Sequence, residues 1–372
     1  MAISDQLTLL NNTKTAIRTA INNKGGSVGA SDTFASYATA IDNLSSGGSG
    51  NPLLTSIDVS DFSGTTFNRA TSYITDVTIP NTVTSIADYA LIQFTGLTSV
   101  TLPSGLTSIG NSAFYGTTGI TSITIPNGVT TLGNQSFYQS GLTSITIPNT
   151  VTSIGSSAFQ GCSNLTSVTI GSGVTNMFFN CFKLCTSLTK VVCLPTTPPT
   201  LGSEAFESTN NCPIYVPAAS VNAYKAASGW STYASRIFAI EQVATVDNTP
   251  VYNYDLGMTS STTMITSTNM QKMPTGTSLE LAEGIVDAGG SFGNYTSITL
   301  PSTFSSFDDQ DMIGSSVTTL TMKSTTPPIA ERNKFGGSGL TAIYVPASAV
   351  DTYKADSGWS QFASIIQAIP AE

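Results

Sequence analysis

LTSITIPNTVTSIGSSAF, residues 142–159, is one statement of a phrase that recurs along this 372-residue chain. Aligned on its first residue, the phrase begins at Ile74, Leu97, Ile120, Leu142, Leu165 and Leu188, at spacings of 23, 23, 22, 23 and 23 residues. Ile145 and Ile147 alternate with Ser144 and Thr146, the pattern of a short strand with one face inward and its hydroxyls outward. Pro80, Pro103, Pro126 and Pro148 fall at the strand's end, where a missing N–H interrupts no ladder. Val151 and Ile154 then offer a second apolar pair, Gly155 a turn, and Ala158-Phe159 an aromatic returned to the interior.

A fixed period in this range with the core Leu142-x-x-Ile145-x-Ile147 marks a leucine-rich-repeat solenoid. A single coil would face an ordering cost of roughly tens of kcal/mol with almost nothing to pack on. Stacked coils share apolar surface and strand hydrogen bonds, so repetition is a requirement for folding. The phrases LTSVTLPSGLTSIGNSAFYG, LTSITIPNTVTSIGSSAFQGCSN and IYVPAASVNAYKAASGW resemble the BspA-type leucine-rich repeats of surface proteins from gut bacteria, protists and bacteriophages. The coil motif spans residues 54 to 216 and implies the fold. The resemblance also implies binding, often adhesion, although one fold hosts many tasks.

The segment Ile214 to Ile240 returns at Ile343 to Ile369 with 18 of 27 positions identical, and the preceding TTPP at Thr196 returns at Thr325, also 129 residues on. A C-terminal module has therefore been copied. In each copy a Pro followed by small residues and a Val, Tyr, Lys pattern predicts a short helix, and Trp230 or Trp359 is expected to cap the open end of a stack. In the second module Tyr295 to Pro301 and Val317 to Met322 keep the strand pattern, while Thr259 to Ser267 is too polar to assign. The expected fold class is mainly β with short helices. The expected domains are a helical segment at 1–44, a Gly/Ser linker at 45–53, a repeat solenoid with cap at 54–243, and a degenerate repeat module with duplicated cap at 244–372.

Leu7, Leu9, Leu10, Ile17 and Ile21, then Phe34, Tyr37, Ile41 and Leu44, are spaced for two helices, the second opened by Ser31 or Asp32. Such a hairpin buries little surface alone and is expected to pack on copies of itself or on another protein. TAIRTAINNKGGSVGASDTFASYATAIDNL resembles the N-terminal segment of bacteriophage virion proteins, especially tail-fibre and other structural proteins. That resemblance implies an attachment piece followed by a displayed region.

Only 9% of residues are charged, with a net charge of −9. No Lys/Arg cluster reverses that field locally, so nucleic acid and anionic membrane surfaces are poor partners. No apolar run reaches the length of a membrane span, and MAISDQLTLLNNTK lacks the form of a signal peptide. The chain is expected to be made in a bacterial cytoplasm and to reside in a virion. Cys162, Cys181, Cys185, Cys193 and Cys212 lie within 51 residues, and there is no His. They are expected to be buried structural thiols, with neither a disulfide framework nor a metal site.

Without His, the usual general base and the common nucleophilic triads are absent. Glu204, Glu207, Glu280, Glu283, Asp287 and the DDQD run at Asp308, Asp309 and Asp311 are the carboxylates left to consider for glycosidase chemistry or Ca²⁺, and they read as solvated loop acids. No catalytic residue, cofactor or metal is expected. Two outward columns, Asp76, Ser99, Ser122, Ser144, Ser167, Lys190 and Thr78, Thr101, Thr124, Thr146, Thr169, Val192, offer hydroxyls to a glycan. Their uniformity suits the scaffold better. The coils disagree after the inward phenylalanines, at Tyr115, Tyr138 and Gln160, with Tyr89 and Phe94 in the first coil. These are the candidate ligand contacts, aromatic side chains that either meet a partner or cover the coil edge.

The expected function is that of a non-enzymatic virion structural protein, a tail-fibre or appendage component and homo-oligomer. Its N-terminal segment would hold other virion proteins and its solenoid would bind a host-surface glycan or protein. The alternatives are a decoration or baseplate protein that binds only virion proteins, and a cellular BspA-like adhesin.

Overall fold

A computed structural model describes residues 75–370, except 80, 82, 260–263, 308–312, 315, 330–334 and 336–338. The expected N-terminal helices, the linker and the DDQD run lie outside the described residues. The chain divides into two compact units, one of residues up to Cys212 together with Ala227–Thr232, the other of Pro213–Ala226 and Tyr233–Glu372.

In the first unit each repeat adds a two-residue strand to one parallel sheet. The strands begin at Ser85, Ser108, Thr131, Ser153, Asn176 and Thr200, successive partners being 23, 23, 22, 23 and 24 residues apart. A second, wider face carries Asp76–Thr78 beside Ser99–Thr101, and Ser144–Ile147, Ser167–Ile170 and Lys190–Cys193 in register. The SITI strand alternates exposed and buried residues as the sequence predicts. Ile123 and Ile125 are buried in the same way, yet residues 121–126 form no strand. Thr121 belongs to the repeat whose return from Phe137 to Leu142 is one residue short.

The corner after each narrow strand is a row of nested turns. The N–H groups of Tyr89, Leu91 and Gln93 donate forward to the carbonyls of Asn111, Ala113 and Tyr115, while Ala90, Ile92 and Phe94 donate back three residues. This alternation needs two left-handed residues per repeat, found at Tyr89 and Gln93, Ser112 and Gly116, Gln135 and Gln139, Ser157 and Gly161, Asn180 and Leu184, and Glu204 and Ser208. The turn expected at Gly155 therefore falls at Ser157. Gly155 serves close approach instead, since a Cβ there would lie 2.5 Å from the carbonyl carbon of Gly133.

Phe114, Phe137, Phe159, Phe182 and Phe206 stack down the interior at centroid spacings of 5.0, 5.2, 5.1 and 5.5 Å, nearly parallel, and Trp230 tilts onto Phe206 at 5.9 Å. The ring spacing follows the strand spacing of a parallel ladder. All five cysteines are buried thiols. Burial pushes Cys162 up to about 11 and raises Cys181 and Cys185 as well.

The second unit holds more regular structure than its sequence predicts. Ser278–Leu281, Ser297–Leu300, Thr319–Met322, Ala342–Val345 and Ile366–Ala368 form one parallel ladder. A narrow sheet of Met264–Ile265, Asp287–Ala288 and Ser306–Phe307 runs beside it. The polar stretch left unassigned supplies the first of those narrow strands and a short helix, Ser267–Met270, capped by Thr266. A hairpin, Gln242–Val246 with Thr249–Tyr252, turns through Asp247 and Asn248 at φ 45° and 65°, and its first strand pairs antiparallel to Leu279–Leu281. The predicted short helices appear at Val221–Ala226 and Val350–Ala355, with Tyr224 and Tyr353 buried.

Candidate functional site

Most hydroxyls on the repeat surface serve the scaffold. The Thr preceding each wide-face strand bonds to the carbonyl of its counterpart one repeat earlier, as Thr98 to Thr75, Thr143 to Thr121, Thr166 to Thr143 and Thr189 to Thr166, at 2.8 to 3.0 Å. A second threonine ladder runs through Thr107, Thr130, Thr152 and Thr175. An amide ladder lies alongside, in which the side chains of Asp88, Asn111 and Asn134 accept from the N–H groups of Asn111, Asn134 and Ser156. These ladders were not anticipated from the sequence, although their signal, a polar residue fixed at the repeat period, was present.

The five candidate contacts do not form one surface. Phe94 is 4% exposed and belongs to the core. Tyr89, 56% exposed and at φ 62°, is the most open of the set. Tyr115 and Tyr138 are half-buried and stack on each other, centroids 4.7 Å apart and rings 10° from parallel. Their facing surfaces are thus occupied, and ring edges and hydroxyls are what they present outward. Gln160 continues that column half-buried, followed by Lys183 and Glu207 at the corresponding positions. Lys183 Nζ lies 2.5 Å from Glu204 and 2.9 Å from Glu207. The hydrogen bond to Glu204 raises the lysine above its ordinary range, and the same contact lowers Glu204. The edge column thus passes from aromatic to amide to ion pair within five repeats.

The other acids weighed for chemistry are in local contacts. Glu283 accepts from the N–H and hydroxyl of Ser302, which lowers its pKa, and Glu280 pairs with Lys323 at 2.5 Å. Asp287 is half-buried at the start of a narrow strand. Among the described residues, no three His, Cys, Asp or Glu side chains gather to hold a metal ion, and no helix is long and apolar enough to cross a membrane.

One repeat departs from the pattern in a way sequence reasoning missed. Where other repeats carry Gly110-Asn111, Gly133-Asn134, Gly155-Ser156 and Gly202-Ser203, this one carries Phe178-Phe179, 48% and 51% exposed. Leu184, 43% exposed, takes a left-handed position held by Gly116 and Gly161 in two of the other repeats. The signal was available as a break in the Gly-Asn pattern.

Residues 60–188 and 107–228 match the BspA type Leucine rich repeat region, in six copies. These repeats are leucine-rich repeats. No curated protein matches the sequence. Among solved structures, a leucine-rich repeat protein from Bacteroides ovatus is similar at 18% identity and TM-score 0.34, over 74% of this chain and 61% of that one. A leucine rich cell surface protein from Faecalibacterium prausnitzii is similar at 20% identity and TM-score 0.36, over 80% of each chain. The T. pallidum Leucine Rich Repeat protein is similar at 24% identity and TM-score 0.33, over 38% of this chain and 78% of that one.

Proposed function

We propose that this chain is a non-enzymatic display protein, a bacteriophage virion component of the tail-fibre or appendage kind, whose repeats bind a host-surface glycan or protein. The supporting observation is the contrast between constant interior and changing edge. Phe114 to Phe206 keep one side chain and one spacing, whereas the position after each runs Tyr115, Tyr138, Gln160, Lys183, Glu207. A scaffold needs no such variation; a recognition surface does. In this reading the two copies of the Trp segment cap a solenoid, and residues 1–44 hold other virion proteins and join copies of the chain. The rival, a cellular BspA-like adhesin, assigns the same role to the repeats and a different holder to the N-terminus.

The experiment uses the full chain as bait against intact bacterial cells and against dissociated phage particles. The reading expects both to be captured, with Tyr89→Ala and the double variant Tyr115→Ala/Tyr138→Ala weakening cell binding alone. Capture of particle proteins only would reduce the repeats to a decoration or baseplate element. Capture of cells with no particle protein would favour the adhesin.

A further inference from the structure

The outward face of the second unit's ladder differs in kind from that of the first. Register places Glu280 beside Thr299, Thr299 beside Thr321, Thr321 beside Tyr344 and Tyr344 beside Gln367. These five residues form one column across five parallel strands, roughly 19 Å long at the usual strand spacing. All five point away from the core: Glu280 and Gln367 are exposed, and Thr299, Thr321 and Tyr344 half-buried. The equivalent column of the first unit reads Thr78, Thr101, Thr124, Thr146, Thr169, Val192 and hardly changes. Here four residue types occupy five places.

The hydroxyls of this unit fall into two groups. Those of Thr296, Thr318 and Thr341 bond to the carbonyls of Thr277, Thr296 and Thr318 and are consumed by the scaffold. Thr299, Thr321, Tyr344 and Gln367 make no side-chain hydrogen bond to another described residue and keep their donors and acceptors for a ligand. The backbone beneath is fixed by strand pairing on both sides of Thr299, Thr321 and Tyr344, so the groups are held at set spacings before anything binds. At one end Lys323 lies 2.5 Å from Glu280 and neutralises it. The column therefore carries hydroxyl, amide and one aromatic ring, without net charge, on a chain whose overall charge of −9 disfavours anions.

We propose that this column binds a neutral oligosaccharide, with Tyr344 stacked on a sugar ring and Thr299, Thr321 and Gln367 hydrogen-bonded to its hydroxyls. An extended, uncharged chain of hydroxyls is the ligand that matches a strip of this length, polarity and neutrality. A nucleic acid or sulfated glycan would lack the cations it needs. The site is separate from the edge column of the first unit and stands or falls without it.

The test is a binding screen of the full chain against immobilised uncharged gluco-, manno-, galacto- and N-acetylglucosamine oligosaccharides, with sialylated and sulfated counterparts. The wild-type chain is expected to bind at least one uncharged probe. Tyr344→Ala should weaken that binding at least about tenfold, and Tyr344→Phe should keep it within about threefold. Gln367→Ala, at an exposed position with little influence on folding, should weaken it as well. Thermal melting of each variant shows whether it is folded. Absence of binding to every uncharged probe, preference for the charged ones, or binding unchanged in folded Tyr344→Ala and Gln367→Ala overturns the proposal. Loss of binding in Tyr115→Ala with none in Tyr344→Ala would sink this site and leave the edge column standing.

Discussion

Replacing Trp359 by Phe isolates one interaction with a calculable cost. The indole is fully buried against Phe335, Tyr353 and Phe307, centroids 5.3, 5.4 and 6.3 Å away, and its Nε1–H donates to the Pro328 carbonyl at 2.8 Å. A phenyl ring keeps most of those contacts and loses the donor. Leaving a buried carbonyl without its partner costs about 1–3 kcal/mol, and the lost part of the ring adds about 1 kcal/mol of buried area. The variant should thus be less stable by about 2–4 kcal/mol, read from urea unfolding followed by far-UV circular dichroism. Pro328→Ala retains the acceptor and should cost less than about 1 kcal/mol. Trp230 repeats the geometry, donating to Pro199 at 2.7 Å, and Trp230→Phe should behave alike. A loss below about 0.5 kcal/mol in both tryptophan variants would refute the reasoning.

Three further outcomes follow from the geometry. Asp247 is held at about 2 by hydrogen bonds from the N–H groups of Ser278 and Thr277 and from their hydroxyls; a value below the ordinary one near 4 means folding favours the carboxylate. Its stabilisation is complete above about pH 4 and lost as pH falls toward 2, so Asp247→Asn should flatten the urea midpoint across that window. At Gly141 a Cβ would lie 2.0 Å from the Thr118 carbonyl oxygen, whereas at Gly105 nothing lies within 4 Å; Gly141→Ala should cost at least about 2 kcal/mol and Gly105→Ala less than about 0.5 in thermal unfolding. The five thiols should resist iodoacetamide in the native chain near neutral pH and react once it is unfolded, as mass spectrometry would count; rapid labelling of the native chain would contradict their burial.

The parts of this fold legible in sequence are those that repeat without exception. A Phe at a fixed place in each unit and a 22- or 23-residue step place the core and the register, because every unit must solve the same packing problem. The copied TTPP and Trp were visible as a pair. That one donates to the other was not, since they lie 31 residues apart. The second unit was harder because its ladder steps by 19 residues from Ser278 to Ser297 and then by 22 to Thr319, so no single period aligns it. The hairpin at Asp247-Asn248 was hidden in a polar stretch whose left-handed turn needs two specific residues and little else. Phe94 shows the limit at the site: an aromatic near a loop edge faces in or out according to neighbours that composition does not reveal. Tyr115 and Tyr138 were placed on the right edge, but their mutual stacking is a consequence of register.

The central claim is that binding occurs on side-chain columns displayed by a rigid repeat scaffold. The most direct measurement is amide hydrogen exchange of the full chain with and without a saturating host-envelope extract. The account predicts added protection confined to the edge around Tyr115 to Tyr138, to the column through Tyr344, or to both, with core exchange unchanged. No added protection on either column, or protection only at residues 1–44, would contradict it.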